Sequence, residues 1–389
     1  MSVTHEAVEL LRELVAIPSI NPESKGPRSD APYGEGRVAA HVQRYFECCG
    51  LSVELQPVHA GRDNAIVRAP GADPSAPPLL LEAHMDTVDV EGMQDPFGAR
   101  LEGGRLHGRG SCDTKASLAA MMTALRRVVE RRVPLRRPVW LAASADEEFG
   151  QNGIRALVAS GVRPAAAVVG EPTALQVIAA HKGQIYVRVV SRGRAAHTSI
   201  PEAGINAILD MAEVVRVLAR RAAASYPGRA HPLCGPPLLS VSVIAGGISE
   251  HIVPDRCRID LDLRILPVQT TASALAELRA LLDEDLPPTV AARVTIEPPH
   301  HDAPPMETSP SHPVVTTLAR AVEGVRGAAE VTGVPYNTDG GALAAAGVPV
   351  VVFGPGDIAQ AHRPDEFVEV EQVIAATEIL ERFVIEAAS

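Results

Sequence analysis

The sequence predicts an α/β fold in which a domain built on a mostly parallel sheet is interrupted by an inserted α+β domain with an antiparallel sheet. In the first half of the chain, apolar strand patterns at 79–82, 139–144 and 166–170 alternate with helical patterns. This alternation is typical of a parallel sheet covered by helices. Residues 256–265 instead alternate strictly between apolar and polar side chains, which is typical of an antiparallel strand with one solvated face. A fully apolar strand pattern at 348–353 then returns to the α/β character.

The first predicted helix covers residues 4–17, with Thr4 as a possible N-cap, Val8 and Leu11 at helical spacing, and Pro18 at its end. The other predicted helices cover 36–48, 114–131, 153–160, 205–221, 272–284, 314–325, 340–346 and 371–386. Further predicted strands cover 64–68, 185–190, 239–245 and 294–297. The change of character near residue 180 predicts three segments, in which 1–180 and 299–389 form one domain and 181–298 is the insertion.

Composition excludes several classes of protein. The chain has 389 residues, of which 46% are hydrophobic, so it carries enough apolar material for a large core. The 36 basic residues against 47 acidic ones give a net charge of −11, which disfavours binding to nucleic acid or to acidic membranes. No apolar run is long enough to span a bilayer. Five cysteines, an odd number without a metal-type CxxC pair, and an N-terminus without a signal-peptide pattern predict a cytoplasmic protein.

Residues that bind metals or carry protons follow the predicted strands at once. In open α/β sheets the ligand crevice lies at the carboxyl ends of the strands, so such residues converge there. A further acidic residue lies in a Gly/Ser-rich loop just before a helix. The candidates are His84 and Asp86 after 79–82, Asp146, Glu147 and Glu148 after 139–144, Glu171 after 166–170, His362 nine residues after 348–353, and Asp113 in the loop.

Each candidate has an ordinary structural explanation when taken alone. Asp113 suits a helix N-cap, Glu147 and Glu148 suit an exposed acidic pair, and His84 suits a hydrogen-bonded core histidine. Their coincidence at five strand or helix ends favours a metal site instead. Imidazole and carboxylate ligands without thiolate point to zinc by default, with cobalt or manganese possible.

The number of candidate ligands points to two metal ions rather than one. Two histidines and three carboxylates exceed the needs of a single tetrahedral zinc, and they suit two ions about 3.5–4 Å apart. Glu147 and Glu148 are adjacent, and neighbouring side chains on an extended backbone point in different directions. One glutamate can therefore bind metal while the other remains free as a base.

These residues lie in segments that resemble a known family. The segments are EAHMDTV (82–88), GRGSCDTKAS (108–117), ADEEFG (145–150), GEPT (170–173), GRAAHTSIPEAGINAI (193–208), VPDRCRIDLDLR (253–264) and FGPGDIAQAHRPDEF (353–367). In this order they resemble the acetylornithine deacetylase, succinyl-diaminopimelate desuccinylase, aminoacylase and carboxypeptidase G family of co-catalytic zinc metallohydrolases. The last segment is most similar to acetylornithine deacetylase.

The resemblance implies a role for each candidate at the metal site. It places His84, Asp113 and Glu171 on one metal ion, and Asp113, Glu148 and His362 on the other. It implies that Asp86 orients His84 through a carboxylate–histidine–metal arrangement. It also implies that Glu147 is the general base.

The resemblance further implies substrate contacts and an assembly. His197, in the inserted domain, would reach the substrate carbonyl of the neighbouring subunit in a homodimer formed through that domain. Arg264 would hold the substrate carboxylate, Asn206 would also contact substrate, and Thr338, Asp339 and Gly340 would line the substrate site. Two simpler explanations stay open: His197 helps to shape a turn, and Arg264 pairs with Asp260 or Asp262 on its own strand.

The function that the resemblance implies is cleavage of the N-acyl amide bond of an N-acyl amino acid, by metal-activated water with Glu147 as base. A dipeptidase or carboxypeptidase with the same metal site is the alternative enzyme. The alternative outside enzymes is a catalytically inactive metal-binding protein.

Overall fold

The computed structural model describes residues 5–25 and 33–389. The predicted N-cap Thr4 lies outside the described residues, and His5 caps the first helix, because its Nδ1 accepts a hydrogen bond from the Ala7 amide at 3.3 Å. The chain forms two compact units. The first comprises Met1–Ala179, Glu307–Thr332 and Thr338–Ser389, and the second comprises Ala180–Met306 and Gly333–Asn337.

The predicted insertion, 181–298, lies within the second unit. The observed unit continues to Met306 and also takes in the short segment Gly333–Asn337.

The described residues contain ten α-helices and seventeen strands. The helices are α1 (Glu6–Val15), α2 (Gly36–Glu47), α3 (Lys115–Glu130), α4 (Asn152–Ala159), α5 (Ala207–Ser225), α6 (Thr271–Asp285), α7 (Pro288–Ala291), α8 (Pro313–Arg326), α9 (Gly340–Ala345) and α10 (Val370–Ala388). The strands are β1 (Ser52–His59), β2 (Arg62–Ala69), β3 (Leu79–His84), β4 (Arg100–Glu102), β5 (Arg105–His107), β6 (Val139–Ser144), β7 (Ala166–Val169), β8 (Val177–His181), β9 (Gly183–Arg192), β10 (Leu238–Gly246), β11 (Arg256–Ile265), β12 (Val294–Ile296), β13 (His301–Ala303), β14 (Met306–Glu307), β15 (Val331–Val334), β16 (Val350–Val352) and β17 (Phe367–Glu369).

The large sheet has the order β1-β2-β6-β3-β7-β16-β8-β14, with β15 beside β8. Its centre is parallel, because β3 pairs with β6 and β7, and β16 pairs with β7, all in parallel register. The strands outside this centre are antiparallel: β1 with β2, β2 with β6, and β8 with β16. The predicted fold class is confirmed, and the sheet is mixed rather than parallel throughout.

Helix α3 anchors the first unit beside the centre of the sheet. It packs against α1 and α10, and its run of small and aliphatic residues is buried almost without interruption. Lys115 at its start is buried and donates from Nζ to the carbonyls of Leu14 (3.0 Å) and Ile17 (2.7 Å). These bonds satisfy carbonyls at the end of α1, and they fix the start of α3, which begins two residues after Asp113.

A small antiparallel sheet, β17-β5-β4, joins two distant parts of the first unit. Phe367 pairs with His107, and Glu369 pairs with Arg105. As a result, the segment that follows His362 lies against the segment that precedes Asp113.

The second unit is a two-layer structure. Its sheet has the order β10-β11-β9-β12, with β13 beside β9, and α5 and α6 pack on it. The alternation predicted for 256–265 is observed: Cys257, Ile259, Leu261, Leu263 and Ile265 are buried in the core, and the intervening residues are not.

Across the solvated face of this sheet, Arg188 of β9 forms an ion pair with Asp260 of β11 at 2.6 Å. In the part of the chain that the structure describes, no helix is both long and apolar enough to cross a membrane.

Candidate metal centre

The central strands of the large sheet bring the candidate residues to one edge. β3 is buried along its whole length between β6 and β7, and it ends at His84, two residues before Asp86. β6 ends shortly before Glu147 and Glu148, and β7 ends shortly before Glu171. Because these three strands are parallel, their carboxyl ends meet at the same edge of the sheet.

The carboxylate of Asp113 lies between two histidines. Its Oδ1 is 3.1 Å from Nε2 of His84, and its Oδ2 is 3.3 Å from Nε2 of His362. The same nitrogen of His362 is 3.1 Å from Oε2 of Glu148. Each oxygen of this carboxylate therefore lies beside a different imidazole, and Asp113 would be shared between two metal ions if each histidine held one.

The structure brings the five predicted ligands together and places Glu147 among them. In two groups of three residues, the possible ligand atoms all lie within 4.8 Å of one another. His362 joins these groups through its contacts with Asp113 and Glu148. The groups are His84, Glu147 and Glu171, and His84, Asp113 and Glu148.

The donor set fits divalent metal ions. In a tetrahedral zinc site, bonds of about 2.0–2.1 Å place neighbouring ligand atoms about 3.3 Å apart, and the nitrogen–oxygen distances around Asp113 are 3.1 and 3.3 Å. Oε1 of Glu148 is buried and has no hydrogen-bond partner among the described residues. Since an unpaired buried carboxylate oxygen is costly, a cation at this position would stabilise it.

The charges at this edge of the sheet are strongly coupled. Hydrogen bonds to Asp113 and Glu148 raise the pKa of His362 to about 10. Burial raises the pKa of Glu147 and of Glu171 well above the usual range. Burial acts in the same direction on Asp113, but the imidazoles of His362 and His84 outweigh it and lower the pKa of that carboxyl. Four carboxyl groups (Asp113, Glu147, Glu148 and Glu171) lie beside only two imidazoles here, so divalent cations would compensate the negative charge of these carboxyls when they are ionised.

Residues 80–386 match the model of peptidase family M20/M25/M40. The chain belongs to this family. It is therefore a hydrolase that acts on peptide or amide bonds, as the sequence predicts. The family is dinuclear metal-binding, which agrees with the donor set. The closer resemblance to acetylornithine deacetylase stays a prediction.

Solved structures of the M20 family share this fold. The aminopeptidase PepT from Bacillus cereus is 21% identical, with a TM-score of 0.79 over 99% of this chain and 98% of that one. A metallo-carboxypeptidase of the family from Sulfolobus solfataricus is 19% identical, with a TM-score of 0.75 over 98% and 99%. A dinuclear metal-binding peptidase of the family from Bacillus subtilis is 14% identical, with a TM-score of 0.70 over 98% and 97%.

Asp86 has more partners in this M20 chain than the sequence indicates. Nδ1 of His84 is 3.0 Å from the backbone oxygen of Asp86 and 3.4 Å from its carboxylate. The carboxylate oxygens accept hydrogen bonds from the amides of Glu147 (3.1 Å) and Glu148 (3.0 Å), and from the side chain of Asn21 (2.8 Å). Asp86 therefore holds the backbone of both glutamates as well as lying beside His84.

The sequence did not reveal the network of charged side chains around Asp146, the residue that precedes Glu147 and Glu148. The carboxylate of Asp146 accepts hydrogen bonds from Arg62 and from Asn21, each at 2.9 Å, and Arg62 also binds both oxygens of Glu35. Asp146 has φ 69°, which residues other than glycine rarely adopt. These partners hold the turn after β6, and they come from segments too distant in sequence for a motif to reveal.

The predicted substrate residues of the first unit are buried. Thr338 and Gly340 are buried, and Asp339 is 1% exposed. Oδ2 of Asp339 is 3.2 Å from the hydroxyl of Ser144, which also bonds to Glu82. The role of these residues as substrate contacts stays a prediction.

The predicted substrate residues of the second unit have local partners. Nδ1 of His197 is 2.8 Å from the hydroxyl of Ser199, Asn206 caps α5, and Arg264 pairs with Asp262 at 3.1 Å. The simpler explanations of His197 and Arg264 thus describe real contacts, and the roles in substrate binding stay predictions.

We expect Asp86→Ala to weaken metal binding or activity by ~10–100-fold without removing a direct ligand. This is the usual effect of losing a residue that holds metal ligands in position by hydrogen bonds. The physical reason is that the amides of Glu147 and Glu148 lose their acceptor. Metal titration of the metal-depleted variant measures the change, and Asp73→Ala, in an exposed loop, serves as the control. Direct coordination of metal by Asp86 in an experimental structure would contradict this assignment.

Proposed function

We propose that this chain hydrolyses the amide bond of an N-acyl amino acid, with two divalent metal ions and Glu147 as the general base. The observation that carries the proposal is the position of the Asp113 carboxylate, with one oxygen toward His84 and the other toward His362. Glu147 lies in the same group of side chains, within 4.8 Å of His84 and Glu171.

The chemistry divides between the metal ions and the side chains of the chain. When bound, two divalent ions polarise the scissile carbonyl and acidify the attacking water. Glu147 accepts the proton of that water and returns it to the leaving amine. Burial raises the pKa of Glu147, which brings it closer to the range where a carboxylate both takes and gives a proton near neutral pH. Asp86 holds the amide of Glu147 and so fixes the base.

A small peptide is the second candidate substrate. The similar structures named above are an aminopeptidase, a metallo-carboxypeptidase and a dinuclear metal-binding peptidase, whereas residues 353–367 are most similar to acetylornithine deacetylase. Acyl-amide and peptide hydrolysis need the same metal chemistry and differ in the shape of the substrate pocket. The comparison must therefore be made with substrates that share the same C-terminal amino acid.

The test measures kcat/KM on N-acetyl and N-succinyl amino acids against dipeptides and tripeptides that end in the same residue, at fixed zinc or cobalt concentration. Higher kcat/KM on the acyl compounds supports the proposal. Higher values on peptides would replace it with the peptidase alternative.

We expect Glu147→Gln to lower kcat by ~10²–10⁴ or more while both metal ions remain bound, since a lost general base affects the chemical step. Glu148→Gln is the matched variant at the next position, and it should instead lose metal, because Glu148 contacts His362. Metal analysis and steady-state kinetics on both variants separate the two roles. Loss of one metal ion from Glu147→Gln would show that Glu147 is a ligand.

We also propose that the chain forms a homodimer through its second unit. Strand β10 has a neighbouring strand on one side only among the described strands. Large apolar side chains on this strand, just after it and on α5 are exposed: Ile244 by 59%, Ile248 by 87% and Leu209 by 68%. An exposed apolar edge strand favours pairing with another chain, and a symmetric dimer is the most frequent result.

In such a dimer, His197 would serve the substrate of the partner subunit. The support is that His197 is exposed in the second unit while every proposed metal ligand lies in the first. An exposed histidine with free access to solvent is available to a neighbouring chain.

We expect activity to return when inactive His197→Ala and inactive Glu147→Gln subunits are mixed and allowed to exchange. A hybrid dimer then contains one site with both residues intact, so random mixing restores about a quarter of the native sites. Each variant incubated alone is the control, and light scattering measures the assembly. A fully active monomer, or an active His197→Ala variant, would overturn the proposal.

A further inference from the structure

The carboxylate of Glu366 organises the loop that carries Asp113. Its Oε1 accepts hydrogen bonds from the backbone amides of Cys112 (2.9 Å) and Asp113 (3.1 Å), and its Oε2 accepts one from the amide of Gly110 (3.1 Å). The side chain of Arg109 donates to the same Oε2. Glu366 is 1% exposed, so these four donors stabilise a fully buried carboxylate.

The same residue joins this loop to the loop that carries His362. Glu366 lies four positions after His362, its backbone oxygen accepts from the amide of Gly108 at 3.2 Å, and the next residue begins β17. The side chain of His362 is 54% exposed, and its backbone has φ 62°. A ligand on an exposed, strained loop depends on neighbouring contacts for its position.

The two proposed metal positions depend on Glu366 to different degrees. His84 is the last residue of β3, and Glu171 follows β7 closely. These two strands pair directly with each other, and the amide of Gly170 donates to the carbonyl of Glu82 at 2.7 Å. Their spacing is therefore set by the sheet. The spacing of Asp113 and His362 is set by two loops, and Glu366 is in contact with the first and part of the second.

We propose that Glu366 is a positioning residue that fixes the distance between Asp113 and His362 and thereby sets the affinity of the second metal position. In the assignment that the family resemblance implies, Asp113, Glu148 and His362 would hold the ion at this position, and His84, Asp113 and Glu171 would hold the ion at the first. The inference rests on the two-metal function proposed above. The side chain of Glu366 accepts from Arg109 and from backbone amides of the Asp113 loop, so it would act on the metal positions through the backbone of that loop.

The test is Glu366→Gln, because glutamine keeps the size of the side chain. Its single oxygen cannot replace both carboxylate oxygens, so its NH₂ group would face backbone amides or Arg109, which are also donors. Metal-depleted protein is titrated with Co²⁺ and with Zn²⁺ against a competing chelator, and the Co²⁺ absorption spectrum is followed. We expect the Kd of the weaker ion to rise by ~10–100-fold and that of the tighter ion to change far less.

A matched control separates positioning from general stability. Asp210→Asn breaks another carboxylate–arginine pair, in which Asp210 accepts from Arg293 at 2.7 and 2.8 Å. Asp210 lies in the second unit, away from the proposed ligands in sequence and in domain. We expect this variant to lose stability on thermal unfolding and to keep native affinity for both ions.

The outcomes distinguish this inference from the proposed function. If the native protein does not bind two ions, the two-metal function fails and the inference fails with it. If the native protein binds two ions and Glu366→Gln binds both with native affinity, or loses both equally, only the inference is overturned. Should Glu366→Gln fail to fold, Glu366→Asp decides, because it keeps the charge but shortens the reach to the loop, and native affinity at both positions would overturn the proposal.

Discussion

The structure of the site depends on one constraint: a carboxylate buried in protein needs hydrogen-bond donors or a cation. Asp86 and Glu366 meet this need entirely within the chain, since backbone amides, Asn21 and Arg109 donate to them. Asp113 and Glu148 do not, because the side-chain partners that the structure gives them are imidazoles, and one oxygen of Glu148 has no partner among the described residues. The proposed metal positions therefore lie beside the carboxylates that, in the described part of the chain, lack hydrogen-bond donors from backbone amides, asparagine or arginine side chains. The same rule therefore separates the carboxylates that build the site from those that we propose bind metal.

The topology explains why the acidic residues gather and why the donors come from elsewhere. Three adjacent parallel strands end at one edge of the sheet, and the polar residues at or just after their ends lie there. The backbone N–H groups of these strands form the hydrogen bonds of the sheet and so are not available to the carboxylates. The donors must therefore come from loops. The loop before α3 supplies them for Glu366, and Asp113 at the end of this loop also lies just before the N-terminus of α3, where a helix favours negative charge. Buried Lys115 fixes that helix against the end of α1, so the position of Asp113 also depends on a helix that carries none of the proposed metal ligands.

Much of this arrangement could be predicted from the sequence, because strand ends are visible in it. The apolar patterns that end before His84, Glu147, Glu171 and His362 locate the edge of the sheet, and resemblance to a family adds the expected role of each residue. The alternation in 256–265 likewise revealed the antiparallel sheet of the second unit.

The contacts of Glu366 could not be predicted, since they join positions more than 250 residues apart. The antiparallel edge strand β1 was missed for a different reason: its polar side chains and proline carry little apolar pattern.

The adjacent residues Glu147 and Glu148 do not follow the rule that neighbouring side chains point to opposite faces, because they lie in a turn rather than in a strand. On an extended backbone, neighbouring side chains point to opposite faces, which predicts that one glutamate faces the metal and the other does not. Here the chain turns after β6, and the amides of both residues bind the same carboxylate, that of Asp86. Both side chains therefore reach the ligand group, Glu148 beside His362 and Glu147 beside His84. The two side chains differ in their partners rather than in their direction, and this difference agrees with the roles proposed for them. Glu148 contacts the imidazole of His362, whereas the hydrogen bond that Glu147 accepts comes from the neutral amide of Gln151 at 3.2 Å. Burial raises the pKa of both carboxyls, but the hydrogen bond from His362 opposes the rise at Glu148, and the pKa of Glu147 is raised well above its usual range. A carboxylate with a neutral partner and a raised pKa has greater affinity for a proton, which is the property that a general base requires.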